Sequence, residues 1–311
     1  MTLLLTLPSI GAYSQDATYL TKKTNRYKPR IDVDYKWGNK RNLGRVDILI
    51  PVLQNDENLL FLDSRGWLDN ETNKEGNIGL GFRRKINNEL ILGAYAFYDL
   101  RRTDNENRFA QGTLGLEALT INWDFRGNFY LPENGRKSTN SVMENGSAHV
   151  QGSNIFVSAQ SFETSFNGFD MEIGRKTFFF EDLKIFAGYY HFWNNDINEK
   201  VDGFRARGEY DFFSKNGHSL SLEGEYSHDD LRSNTTFGGL RYSYRFGVSE
   251  NKNKNKNRQY TLSKIEKRMT DRIIRDVDIV TKEVTGITKK LMTENDQEQM
   301  IIFVDNSTAN T

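Results

Sequence analysis

The chain has no cysteine among its 311 residues. That rules out disulfides and thiol chemistry and fits transit through an oxidising periplasm. It also lacks any run of about 18 apolar residues, so a helical membrane protein is excluded. Hydrophobic residues make up only 37% of it, and mean hydropathy is -0.69. Nor is there an excess of charge of either sign: 42 basic residues balance 42 acidic ones, which leaves nucleic-acid binding without support. None of these absences excludes a transmembrane β-barrel, because the lumen-facing half of each barrel strand is polar.

What the chain does have is aromatic residues, 13% of the total with 21 Phe and 14 Tyr, and 25 glycines. They are arranged with a period of two. Residues 232–247 read RSNTTFGGLRYSYRFG. Successive side chains of a strand point to opposite faces, so Leu240, Tyr242, Tyr244 and Phe246 share one face while Arg241, Ser243 and Arg245 share the other. Similar segments separated by turns recur from about residue 30. Each is near the ten residues that a tilted barrel strand needs. Strands are expected at 30–37, 45–53, 59–68, 77–86, 90–99, 109–119, 123–131, 166–177, 183–193, 201–213, 217–229 and 232–247. Most alternate cleanly. At 201–213, Phe204, Ala206, Tyr210 and Phe212 oppose Arg205, Arg207, Glu209 and Asp211. At 217–229, Leu220, Leu222 and Tyr226 oppose Ser221, Glu223 and Glu225. The segment 59–68 alternates poorly, 90–99 is apolar on both faces, and 183–193 is mixed. Asn216-Gly217 reads as a tight hairpin turn.

The fold expected is all-β: a closed antiparallel transmembrane barrel of about twelve strands followed by a C-terminal linker. An even strand count puts both ends of the barrel on one side, the periplasm. The long polar stretch from Pro132 to about Phe162 is expected as an external loop, with a small strand within 154–161. Ahead of the barrel, Leu3 to Ile10 resembles the apolar core of a signal peptide and Ala12-Tyr13-Ser14 its cleavage site, without the usual basic start. After it, residues 251–257 (NKNKNKN) are low-complexity and cannot bury a core. Residues 262–284 carry Ile265, Met269, Ile273, Val277 and Val280 at helical spacing, which predicts a short amphipathic helix or an extended linker. Met300 to Val304 (MIIFV) is a β-like run.

Several short sequences carry a resemblance. They are Asn77-Ile78-Gly79-Leu80-Gly81-Phe82-Arg83, Ile91-Leu92-Gly93-Ala94-Tyr95-Ala96-Phe97-Tyr98-Asp99, Gly115-Leu116-Glu117 and Asn128-Phe129-Tyr130-Leu131-Pro132. Together they resemble the β-domain of inverse autotransporters, the intimin and invasin family, over about residues 30 to 250. The family-motif residues are Gly79, Gly81, Phe82, Arg83, Gly93, Phe97, Tyr98 and Asp99. The resemblance implies a twelve-stranded barrel in the outer membrane of a Gram-negative bacterium, and a linker that re-enters the lumen to carry a passenger to the surface. Residues 275–281 and 302–306 look like the junction to a right-handed β-helix passenger. Gly239, Tyr242, Tyr244 and Phe246 resemble the aromatic-ended last strand that the outer-membrane assembly machinery recognises. The organisation expected is a signal-like remnant at 1–15, a periplasmic lead at 16–29, the barrel at 30–248, a partly helical linker threading the lumen at 249–298, and the start of a truncated passenger at 299–311.

Chemistry is thin. Gly79-Leu80-Gly81 lies inside an alternating strand with no helix after it, so it reads as close backbone packing rather than a nucleotide loop. His191, His218 and His228 invite a hydrolase reading, but no serine motif supplies a nucleophile for them. No catalytic residue, cofactor or metal ligand is expected. Arg205, Arg207, Glu209, Asp211, Glu223, Glu225, Arg241 and Arg245 are lumen candidates, expected to pair with one another around a linker rather than to line an open pore. Trp37, Trp67, Trp123 and Trp193 are expected as interfacial anchors. The partners expected are outer-membrane lipid, the assembly machinery and, through a passenger absent from this chain, a host-cell or surface receptor. A porin-like channel with a periplasmic tail is the alternative.

Overall fold

The computed structural model describes residues 26–133, 135–139, 148–151, 154–158, 161–247, 262–276, 278–284 and 288–290. Seven strands run in sequence from the N-terminal side: β1 (Arg30–Gly38), β2 (Leu43–Gln54), β3 (Asn58–Asp69), β4 (Lys74–Lys85), β5 (Leu90–Arg102), β6 (Arg108–Thr120) and β7 (Trp123–Pro132). Four short strands follow: β8 (Arg136–Ser138), β9 (Ala148–Gln151), β10 (Asn154–Ser158) and β11 (Phe162–Ser165). Five long ones complete the wall: β12 (Asn167–Lys176), β13 (Leu183–Asn194), β14 (Glu199–Lys215), β15 (His218–Asp229) and β16 (Thr235–Arg245). β17 (Thr281–Val284) and β18 (Thr288–Lys290) come last.

The twelve long strands close into one antiparallel barrel in which β1 pairs with both β2 and β16. Closure leaves no sheet edge, which is what a wall in lipid requires. Register follows the period-two pattern. Tyr35 lies opposite Leu240, and Val33 opposite Tyr242, all four exposed on the outer face. Asp34 lies opposite Arg241 and Asp32 opposite Ser243, all four buried inside. An apolar outer face with a charged inner one is the inverse of a soluble protein, and it fits a barrel surrounded by hydrocarbon.

The two ends differ. One carries short turns, such as Asn216-Gly217, where both residues have positive φ (52° and 84°). A two-residue hairpin of this twist needs that conformation, and Asn and Gly adopt it at least cost. The other end carries the 34-residue connection between β7 and β12, counted from Glu133 to Phe166. It is not a featureless loop. β8 and β11 pair with β17, and β9 and β10 pair with β18, giving two three-stranded sheets.

Among the described residues of 262–284 there is no α-helix. Residues 266–270 form a single 3-10 turn, 271–276 and 278–280 belong to no helix or strand and bend at Asp278, and β17 follows. Ile265, Met269 and Ile273 pack in one buried cluster with Leu49, Leu59, Phe61, Ile91, Tyr95, Phe97 and Leu119 of the wall. Val280 packs in another with Tyr130, Phe166, Tyr190, Phe192 and Val201. Wall side chains satisfy the segment's backbone groups, so it does not need a helix's own hydrogen bonds. Val277, the signal-like start, the NKNKNKN tract and the MIIFV run lie outside the described residues.

Candidate functional site: the occupied lumen

The inner segment, residues 262–284, enters at the short-turn end and leaves among the loop strands of the other. Its cations meet carboxylates of the wall. Arg268 pairs with Asp124 at 2.5 Å, Arg272 with Asp34 at 3.1 Å and Glu223 at 3.3 Å, and Arg275 with Asp99. The Arg275–Asp99 pair is bidentate, at 2.9 and 2.8 Å, the geometry that holds a guanidinium most firmly. The carboxylates that follow meet arginines. Asp276 pairs with Arg205 at 3.8 Å and Arg232 at 3.4 Å, and Asp278 with Arg41 at 3.0 Å and Arg101 at 2.9 Å.

The motif residues explain how the wall receives this segment. On β4, Gly79, Gly81 and Arg83 point inward, whereas Phe82 is exposed outside. On β5, Gly93, Phe97 and Asp99 point inward and Tyr98 outward. Arg83 is 0% exposed. It pairs with Glu117 at 2.5 Å and donates to the carbonyls of Met269 at 2.9 Å and Asp271 at 2.6 Å. A Cβ on Gly81 would lie 2.2 Å from the Phe61 ring, so glycine here leaves room for the ring on which Arg83 rests (5.1 Å to its centroid). Phe97 lies under Arg275 at 4.8 Å. Higher up, the Asp276 amide donates to the Tyr130 hydroxyl at 2.7 Å and the Ile279 amide to Glu75 at 3.0 Å. Phe166 N–H donates to the Val280 carbonyl at 3.0 Å.

Seven of the eight lumen candidates lie inside the wall; Asp211 sits at its short-turn rim, with its side chain 54% exposed. Arg207 pairs with Glu172 and Glu209, and Arg241 with Glu223, Glu209 and Asp211. Lys36 reaches both Glu223 and Glu225 at 3.3 Å. Arg205 pairs with Asp170 of the wall and also reaches Asp276 of the inner segment, and Arg245 reaches Asp271. Of the aromatic-ended last strand, Tyr242 and Phe246 are exposed outside. Gly239 is packed inside, where a Cβ would meet the Tyr35 carbonyl at 3.0 Å. The histidines do not converge. His191 bonds Asp202 and His228 bonds Asn234 near the long-loop end, while His218 bonds Tyr242 at the other. Among the described residues no group of three metal-binding side chains occurs.

Trp37 and Trp123 are exposed outside, but Trp67 corrects its expectation: it is 4% exposed and packs with Leu43 and Phe237, with Arg41 over its ring at 5.4 Å. The small strand expected within 154–161 is β10 (Asn154–Ser158), but sequence reading missed Arg83 as a grip on the inner segment and the other strands of the long loop, β8, β9 and β11. Arg83's inward parity was visible. Its partners, 186 and 188 residues further along the chain, were not.

A membrane-protein chain solved in a study of in-meso crystallization is similar over 83% of this chain and 100% of its own, with a TM-score of 0.62 and 14% identity. At that identity the likeness concerns the fold alone. An outer membrane channel from Pseudomonas putida F1 (TM-score 0.46, 13% identity, 71% of this chain and 96% of its own) and the KdgM porin (0.44, 10%, 70% and 99%) are more distant. No curated protein matches the chain. The family described as "Inverse autotransporter, beta-domain" matches residues 10–277. This outer-membrane β-barrel chain therefore belongs to the inverse autotransporter β-domain family.

Proposed function

We propose that the barrel anchors and exports a C-terminal segment, displaying at the cell surface whatever follows residue 290. The observation that carries this reading is the filled lumen. The inner segment is threaded from the short-turn end, which such barrels turn to the periplasm, to the end of long loops. There β17 and β18 add to strands of the β7–β12 connection. Main-chain pairing of this kind captures an extended peptide with little regard to its sequence. No chemistry is needed: the polar interior solvates an extended chain, and the closed wall satisfies the backbone in lipid. A passenger of adhesin type would supply the contact with a receptor. The outward Tyr242, Tyr244 and Phe246 with Gly239 would serve the assembly machinery.

The test is an epitope tag placed after Thr311 in intact cells. Antibody staining and protease cleavage before the outer membrane is permeabilised are expected. A tag protected until permeabilisation would replace this reading with a porin-like barrel whose tail stays in the periplasm.

A further inference from the structure

The turn between β12 and β13 is unlike the other short turns. Residues 55–57 read NDE, 86–89 INNE, 121–122 IN and 216–217 NG, whereas 177–182 read TFFFED. Phe178, Phe179 and Phe180 are 79%, 91% and 62% exposed. Three adjacent phenylalanines in water are costly and attract association. They do not fold back, because the turn is tied off. Thr177 N–H donates to the Leu183 carbonyl at 2.9 Å and Leu183 N–H to the Phe180 carbonyl at 3.0 Å. The Thr177 hydroxyl also donates to the Phe180 carbonyl at 2.7 Å.

The patch is continuous with the lipid-facing wall. Arg175 lies opposite Trp123 in the β7–β12 register. Its guanidinium sits over the Trp123 ring at 4.7 Å and over the Phe178 ring at 4.1 Å. Trp123 is itself stacked on Phe125, 6.1 Å away and exposed on the outer face. An aromatic–arginine–aromatic stack at the edge of an apolar band is suited to the boundary of a bilayer, with rings toward the acyl chains and the cation at the phosphates.

We propose that the 177–182 turn is a lipid-inserting element, with Phe178–Phe180 seated in the phospholipid leaflet at the short-turn end and Arg175 bound to lipid phosphate. The turn thereby holds the barrel at a fixed depth and tilt beside β12 and β13. Only the naming of this leaflet as the inner one rests on the orientation given under Proposed function. The insertion itself does not depend on which way the barrel points.

The absence of cysteine allows a direct test. F179C, F180C and, in a polar turn, N88C would each be spin-labelled in the full chain refolded into phosphatidylethanolamine–phosphatidylglycerol vesicles. Folding would be checked by heat-modifiable gel mobility, and collision of the label with oxygen would be compared with collision with a water-soluble nickel complex. Labels at 179 and 180 are expected to favour oxygen at least several-fold over the label at 88. Nickel accessibility at 179 and 180 equal to that at 88 would overturn the proposal and leave the patch to a partner in water. Either labelled position suffices if the other variant fails to fold. An export defect with labels still in lipid would count against the orientation and not against insertion.

Discussion

Between Ile265 and Arg275 the inner segment offers the wall mainly apolar side chains and guanidinium groups, with Glu266 and Asp271 as the two exceptions, paired with Lys85 and Arg245 near the short-turn end; at Asp276 and Asp278 it offers carboxylates. The wall mirrors the change. Asp124, Asp34, Glu223 and Asp99 receive the first stretch, and Arg205, Arg232, Arg41 and Arg101 the second. The first stretch is also gripped through its backbone by Arg83, and it shares an apolar cluster. The second sits nearer the rim, where Arg232 and Arg41 have side chains 30% and 19% exposed. Opposite charge order in segment and wall gives one register and one direction. A shift along the barrel would set like charges together in a poorly hydrated space, where that is expensive.

The contrast can be broken from its strongest side first. Arg83→Ala leaves Glu117 buried without its cation and removes two donors from the segment backbone. A loss of about 3–5 kcal/mol is expected, read from urea unfolding of the refolded barrel. Next, Asp99→Arg sets two guanidinium groups together, and adding Arg275→Asp restores an opposite pair. A double-mutant cycle is expected to recover a coupling of about 2 kcal/mol, and none would mean that the two side chains do not meet. Leu240→Asp, on the lipid face of β16, should cost up to about 2 kcal/mol through the wall alone. It should leave the seating of the segment unchanged when that is probed by protease. At the rim, Arg232→Gln is expected to cost about 1 kcal/mol, since Arg232 is itself partly exposed and its two buried partners keep others, Asp229 the Tyr190 hydroxyl and Asp276 Arg205. A rim effect as large as that of Arg83 would erase the distinction between the two stretches.

The sequence made the wall legible because lipid outside and charge inside impose alternation on most strands. The three segments that blurred this pattern are informative in retrospect. β3 turns Leu59, Phe61 and Trp67 inward, β5 turns Ile91, Tyr95 and Phe97 inward, and β13 turns Phe186, Tyr190 and Phe192 inward. Leu59, Phe61, Ile91, Tyr95 and Phe97 cover the start of the inner segment, and Tyr190 and Phe192 pack with Val280. Their apolar inner faces mark where a chain, not water, occupies the lumen. Helical spacing of Ile265, Met269 and Ile273 misled for a related reason. A 3-10 turn followed by irregular chain brings the same residues to one cluster, because the wall surrounds the segment on all sides. Partners separated by more than 170 residues, such as Arg275 and Asp99, leave no local signal, and β8, β9 and β11 are too short to show an alternation of their own.

The most direct measurement is single-channel conductance in planar bilayers of the full chain beside a variant ending at Gly247. The account predicts a closed or barely conducting full chain and a steady open pore in the shortened one. Equal conductance in the two would show that the inner segment does not occupy the lumen.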